Sequence, residues 1–391
     1  MKMESLLVKC SFLHYNTPMK LTAKVKLLPT KAQVDSLKRT IETANRACNY
    51  ISELAWSAKS FHKFGVHNLA YNGVRANFKL VAQLVIRCIT KVADSYKVNK
   101  KTKCEFGTTG SVPYDLRILS WKMDDGYVSI WTVDGRQKID FVCGKYQRKM
   151  LQSQRGETDL CLIDGEFYLY TTCDVAESEL SYDGDVLGVD LGIANIATDS
   201  DGNQYSGKKV SNTRKRYAKL RAKLQAKQTK SAKRLLKKRR RKEKNFANDV
   251  NHVISKDIVS RAKDTARAIA LEDLTGIRGR VTVRKAQRRE HHSWSFYDLR
   301  QKIEYKAKLY GVPVVLVDPR NTSRTCHSCG CIDKANRKSQ SEFICVSCGY
   351  SANADTNAAM NISVRGRATL STSLTSRPRT IESGQGQAHM L

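Results

Sequence analysis

Apolar and polar residues alternate from 19 to 28, MKLTAKVKLL, where Leu21, Ala23, Val25 and Leu27 share one side. That is the period of a half-buried strand. The period then lengthens. Thr30 with Gln33 three positions on has the form of a capping box, and Val34, Leu37, Ile41, Cys48, Ile51 and Leu54 follow at helical spacing. More helix is predicted around 74–97. From about 104 to 180, period-two runs (GYVSIWTV, QKIDFV, EFYLYTTCDV) alternate with the turn signals DDG, DGRQ and IDGE, the pattern of antiparallel β structure. The first strand and this block are expected to form one barrel, with the helices inserted as a second module.

Residues 186–198, containing LGVDLGIANIA, read as a strand, and DSDG before NQYSG as a hairpin turn. A helix over 211–244 is predicted next, then a second over 246–266 with Phe246, Val250, Ile254 and Ile258 on one side. ARAIALEDL returns to a strand. A helix from near Ser293 presents Trp294, Phe296, Leu299 and Ile303, stops at Gly311, and leads to the strand VPVVLV. Residues from about 185 to 320 thus form an α/β domain. After 365 the chain is rich in Ser, Thr and Gly with no apolar period, and is expected to be disordered.

Charge narrows the partners. Lys and Arg total 69 against 37 Asp and Glu, a formal net charge of +32. Such an excess calls for a polyanion. No apolar run is long enough to span a bilayer, and the N-terminus lacks the form of a secretory signal, so a cytoplasmic, nucleoid-associated protein without a membrane partner is expected. The stretch 214–244 alone holds 17 Lys or Arg and one acid, Glu243. A solvated helix face is the bland account. Almost no acid is available for pairing along the helix, so a phosphate backbone is the better counterion, with Arg214, Arg216, Arg221, Lys237, Lys238, Arg239, Arg240 and Arg241 as candidate contacts.

Seven cysteines are scattered singly, as reduced structural thiols would be, and five fall between Cys326 and Cys348. Of these, Cys326 and Cys329 form one Cys-x-x-Cys pair and Cys345 and Cys348 another, 15 residues apart, each followed by Gly330 or Gly349. Two such knuckles bind one tetrahedral zinc. His327 and Cys331 lie nearby but do not complete the pair-and-pair pattern.

Three carboxylates stand out against this background. Asp190 lies within an apolar strand, Glu272 ends the strand AIALE, and Asp355 opens the helix of ANADTNAAMNI. Singly, Asp355 reads as a helix cap and Glu272 as an arginine partner. Together they supply the hard oxygen donors that magnesium needs at a phosphodiester-cleaving site. Asp199 and Asp201, placed in a turn, and Asp273, on the opposite side of its strand, are set aside.

The order GVDLGIAN, ALEDL, TSRTCHSCG…CVSCG, ADTNAAMNI resembles the TnpB proteins of bacterial insertion sequences, relatives of type V CRISPR effectors. The resemblance runs from about residue 20 to 365. It implies an α+β multidomain protein: a RuvC-like nuclease domain of the RNase H fold (185–320 and 354–365) with an inserted zinc ribbon (321–353), a wedge-like β-barrel (1–28 and 104–184), a helical recognition module (29–103) and a tail (366–391). It also implies an RNA-guided DNA endonuclease using two Mg²⁺ ions at Asp190, Glu272 and Asp355 and one structural Zn²⁺. The implied partners are a guide RNA derived from the transposon end and double-stranded target DNA, and the implied state is a monomer. A nuclease-inactive RNA-guided regulator, or an RNA-independent zinc-ribbon transposase or transcription factor, are the rival classes. Neither rival accounts for three intact acids.

Overall fold

The computed structural model describes residues 19–274 and 296–375. The chain is α+β and divides into two compact units, one of residues 18–176 and one that includes the chain from Glu177 onward. Among the described residues no helix is long and apolar enough to cross a membrane.

The first unit is a seven-stranded antiparallel sheet with helices against it. Its strands are β1 (Met19–Leu28), β2 (Val112–Tyr114), β3 (Leu119–Lys122), β4 (Tyr127–Thr132), β5 (Gly135–Val142), β6 (Gln154–Ile163) and β7 (Glu166–Val175), in the order β2-β6-β7-β1-β5-β4-β3. The edge strands β2 and β3 are consecutive in the chain. A connector from Asp115 to Ile118 reaches no more than about 18 Å, so the sheet must curl until its edges approach, giving a nearly closed barrel. The Tyr114 hydroxyl donates to the Trp131 carbonyl at 2.9 Å, and the Trp131 N–H donates to the Ile118 carbonyl at 3.0 Å.

Helices α1 (Lys31–Ser57), α2 (Lys63–Asn77) and α3 (Ala82–Val98) leave the sheet after β1, and α4 (Lys145–Leu151) follows β5. Thr30 and Gln33 form the expected capping box at the start of α1. Leu37, Ile41, Ile51, Leu84 and Ile89 of the helices share one apolar core with Val25, Leu27, Leu160 and Leu169 of the strands. The helix expected over 74–97 is broken. The chain leaves helical geometry between Phe78 and Val81, where Leu80 is buried and the Arg75 guanidinium donates to its carbonyl at 2.5 Å.

The second unit is a five-stranded sheet between two helical layers. Its strands are β8 (Val186–Asp190), β9 (Asn195–Asp199), β10 (Gln204–Ser206), β11 (Ala268–Glu272) and β12 (Val314–Val317), in the order β10-β9-β8-β11-β12. The first three pair antiparallel, whereas β8, β11 and β12 run parallel. The single strand expected over 186–198 is therefore two, with a turn at Leu191–Ala194. Asp190 ends a strand instead of lying inside one.

Two basic helices connect β10 to β11: α5 (Lys208–Lys227) and α6 (Lys230–Asp264). The expected break near 245 is absent and one occurs at Gln228, which adopts φ 50°, followed by Thr229, whose hydroxyl caps α6 through the Ala232 N–H. Phe246 and Val250 pack against the core that holds Ile254 and Ile258, which carries the helix through 245. After β11 comes α7 (Phe296–Tyr310), with Leu299 and Ile303 fully buried; Ser293 and Trp294 lie outside the described residues. A small hairpin of β13 (Glu342–Ile344) and β14 (Ser351–Asn353) belongs to the cysteine ribbon, and α8 (Ala354–Thr375) follows it.

Helix α8 corrects the disordered tail expected from 366. It continues to Thr375 because Leu370, 2% exposed, packs with Val186, Ala268, Ala270 and Val315. Residues 376–391 lie outside the described residues.

Alternation along the strands decides what faces what. Leu187, Val189, Ile269 and Leu271 point into the core shared with α6 and α7, while Val186, Ala268 and Ala270 point to α8. Glycine makes that second face possible. A Cβ on Gly188 would stand 2.0 Å from the Ala359 carbonyl and 2.5 Å from the Ser363 nitrogen, so α8 lies backbone-close on β8. Gly188→Ala should push helix and strand apart and lower the urea midpoint by an amount equivalent to about 1–3 kcal/mol; an unchanged midpoint would contradict this packing.

Candidate metal centres

The parallel strands bring two of the acids to one place. Ala270 pairs with Gly188 and Leu271 with Val189, so one more step of the same register sets Glu272 beside Asp190 on the α8 face. Asp355 enters from the first turn of α8. It is not the cap: the Asn353 side chain accepts from the Asp355 N–H at 3.0 Å and from the Thr356 N–H at 3.2 Å, leaving the Asp355 carboxylate free to face the sheet edge. There Asn195 donates to Asp355 Oδ2 at 3.0 Å, and Arg337 lies 3.6 Å from Oδ1.

Electrostatics registers the convergence. Burial, followed by the charges of Glu272 and Asp355, pushes the Asp190 carboxyl up to about 7, against the weaker pull of Arg337. Burial also raises Glu272, and the Thr322 hydroxyl, donating to Glu272 Oε1 at 2.5 Å, opposes that shift. The site thus concentrates buried negative charge opposed by few cations, chemistry suited to hard divalent ions. The trio is set wider than the cysteines, whose sulfurs form, among the described residues, the one group of potential ligand atoms that all lie within 4.8 Å of one another.

In that cysteine group Cys326 and Cys348 are 3.7 Å apart, and Cys329 and Cys345 are 3.6 Å apart. A tetrahedron of Zn–S bonds has edges of about 3.8 Å, so the four thiols fit zinc as they stand. The N–H groups of Ser347 and Cys348 point at the Cys345 sulfur at 3.4 and 3.5 Å, which favours its thiolate. Cys331 and His327 stand outside the group; the Cys331 carbonyl and the His327 N–H serve the backbone of the knuckle and α8 instead.

The acids set aside lie elsewhere. Asp273 pairs with Arg300 of α7 at 2.9 Å, across the sheet from Glu272. Asp201 is held by Arg267. Asp199, expected in a turn, is instead the buried last residue of β9, and its carboxylate gathers the N–H groups of Asp201 and Asn203. Of the basic candidates, Lys237, Lys238, Arg216 and Arg240 are exposed on the α5–α6 hairpin, and Arg214, Arg239 and Arg241 are partly buried. Arg221 is tied to Glu243 at 2.6 Å, joining the two helices.

Sequence reasoning missed Arg337, Asn195 and Thr322. Asn195 stands inside the GVDLGIAN segment. Arg337 sits in a polar loop whose neighbour Asn336 is fully buried, donating to the Arg324 and Cys331 carbonyls and accepting from the Val346 N–H; only the folded loop shows that this anchors the arginine.

A mixed sheet with acids at its edge, followed by a four-thiol ribbon and a closing helix, defines a ribbon-bearing α/β unit. Residues 171–276 match the OrfB_IS605 family model, described as "Probable transposase", and residues 296–362 match the "Cas12f1-like, TNB domain". The chain is 33% identical over 189 residues to the TnpB-like protein MJ0751 of Methanocaldococcus jannaschii, covering 45% of this chain and 67% of that one. The chain belongs to the TnpB-like family. It is also 46% identical over 121 residues to the CRISPR-associated endodeoxyribonuclease Cas12f1 of Sulfoacidibacillus thermotolerans, covering 31% of this chain and 27% of that relative's length. Among solved structures, the Cas12f1–sgRNA–target DNA complex matches with a TM-score of 0.55 at 16% identity, over 85% of this chain and 82% of that one. The mini-RNA-guided endonuclease CRISPR-Cas_phi3 matches with a TM-score of 0.56 at 10% identity, over 90% and 92%. The fold is shared with these effectors.

The raised Asp190 carboxyl has a measurable sign. The folded chain holds a proton that the unfolded chain, with an ordinary value of 3.8, releases between that pH and about 7. Stability of the metal-free protein should therefore fall as pH rises through this window. Asp190→Asn should remove about 2–3 kcal/mol of the decline between about pH 5 and about pH 8, read from urea midpoints; an equal decline in both proteins would refute the assignment. Metal analysis should find one zinc per chain, and Cys345→Ser should lose it.

Proposed function

We propose that the chain is an RNA-guided DNA endonuclease of an insertion sequence, cutting phosphodiesters at Asp190, Glu272 and Asp355 in a RuvC-like domain of the RNase H fold. The observation that carries the reading is the convergence of these three acids at one sheet edge, Glu272 buried and Asp190 and Asp355 partly so, with Asp190 raised by burial and by both others. The strand order, three antiparallel strands followed by two parallel ones, supports the RNase H assignment. The fold neighbours, one a complex with guide RNA and target DNA, support the partners. In this reading the first unit supplies the strands of the wedge-like barrel and the recognition helices (29–103), and 321–353 is the zinc ribbon.

The donor set fits two Mg²⁺ ions, which when bound would supply an acidified water and charge stabilisation for the departing 3′ oxygen. The chain's own residues do the rest. Asp190, Glu272 and Asp355 provide the oxygens. Thr322 holds one oxygen of Glu272 and leaves the other to a ligand, while Asn195 holds Asp355 Oδ2 and Oδ1 faces Arg337. Arg337, already drawn to Asp355, brings guanidinium donors that match a phosphate. The Cys326, Cys329, Cys345 and Cys348 thiolates hold a structural zinc. The exposed cations of the α5–α6 hairpin, about 50 Å long in α6, offer a track for a nucleic-acid backbone.

Asp190→Ala should lower Mg²⁺-dependent cleavage of guide-matched DNA by at least about a thousandfold and leave guide-RNA binding intact; persistent cutting would defeat the reading. Replacing Lys237, Lys238 and Arg240 by Gln should flatten the salt dependence of binding by about one unit of log–log slope for each of these cations that neutralises a phosphate. An unchanged slope would remove the hairpin from the interface.

A further inference from the structure

The cysteine ribbon and the acidic trio are joined by a continuous buried hydrogen-bonded chain. Cys326 is flanked by Thr325 and His327. The Asn357 side chain accepts from the His327 N–H at 3.0 Å and donates to the Thr325 carbonyl at 2.9 Å. One turn on, the Asn361 amide donates to the same Thr325 carbonyl at 2.8 Å and to the Thr322 carbonyl at 2.9 Å. The Thr322 hydroxyl then donates to Glu272 Oε1. Asn357 is fully buried, Asn361 is 6% exposed and Thr322 is 3% exposed, so none of these bonds is readily replaced by water. At the other end of the ribbon, Arg337 reaches Asp355, and β14 runs directly into α8, which carries Asp355, Asn357 and Asn361 on its first two turns.

We propose that zinc in the ribbon tunes the divalent-metal affinity of the acidic trio through this chain, with Thr322, Asn357 and Asn361 as positioning residues. The proposal rests on the metal-site reading given above. The physical reason is orientation. A carboxylate fixed by a hydrogen bond to one oxygen presents the other to a cation without having to be ordered on binding, and losing such a partner typically costs about 10- to 100-fold in metal affinity. Zinc fixes the backbone at Cys326, the two asparagines transmit that position to α8 and to Thr322, and Thr322 delivers it to Glu272. Coupling of this kind is reciprocal, so a filled acidic trio should raise the ribbon's affinity for zinc by the same factor.

The test is Mn²⁺ binding followed by electron paramagnetic resonance on the full chain, with zinc content and circular dichroism as folding controls. Thr322→Val, which keeps the side-chain shape without its hydroxyl, should retain one zinc and native dichroism and weaken Mn²⁺ about tenfold. Thr322→Ser should restore wild-type affinity. Stripping zinc from the wild type should weaken Mn²⁺ to a similar degree, and Thr322→Val should then add little. Wild-type affinity in Thr322→Val, or additive losses, would overturn the coupling. Mn²⁺ binding that survives Asp190→Ala would instead overturn the metal-site reading beneath it.

Discussion

Like charges buried side by side repel, and much of the second unit's architecture follows from holding three carboxylates together at one sheet edge. Asp190 and Glu272 are neighbours because β8 and β11 run parallel in a register that aligns their last residues. Two of the acids also receive a side-chain donor: Thr322 to Glu272, Asn195 to Asp355. Burial first, and then the remaining repulsion from Glu272 and Asp355, raises the Asp190 carboxyl. In the proposed function this unmet demand for cations is what suits the edge to divalent metal.

Closeness of backbone makes this geometry reachable. Asp355 is on a helix, and a helix packed at ordinary distance over side chains would hold its first turn away from the strand end. Gly188 removes the side chain at the crossing, and Gly366, whose Cβ would stand 2.6 Å from the Ala270 methyl, does so again along the same helix. The Ser363 hydroxyl, donating to the Val186 carbonyl at 2.6 Å, closes the contact. Packing, hydrogen bonding and charge therefore meet on one helix, which also anchors the ribbon through Asn357 and Asn361.

The basic hairpin obeys a different balance. Its helices have few apolar contacts of their own near the turn, Leu224 and Ala232 being the buried residues there, and Arg221–Glu243 joins them on the surface. An exposed pair of this kind contributes little to stability. The hairpin is therefore held mainly at its base, where Ile254 and Ile258 enter the core, and its far half presents charge to the surroundings.

Local chemistry was legible in the amino-acid order. The capping box at Thr30, the turns between β4 and β5 and between β6 and β7, the two cysteine knuckles and the three acids all depend on residues near one another in the chain or on spacings that one residue type imposes. The failures were of a different kind. The break at Gln228 came from a left-handed residue and the Thr229 cap, the division of 186–198 from a turn at Leu191–Ala194, and the extension of α8 past 365 from packing. Leu370 is ordered by Val186 and Ala270 from distant strands, and no apolar period in its own segment announces that. Arg337, Asn195 and Thr322 were illegible for the same reason. A polar residue in a loop carries no mark of its partner until the sheet, the ribbon and the helix bring a carboxylate to it, because hydrogen-bond geometry is a property of three-dimensional neighbours and not of sequence spacing.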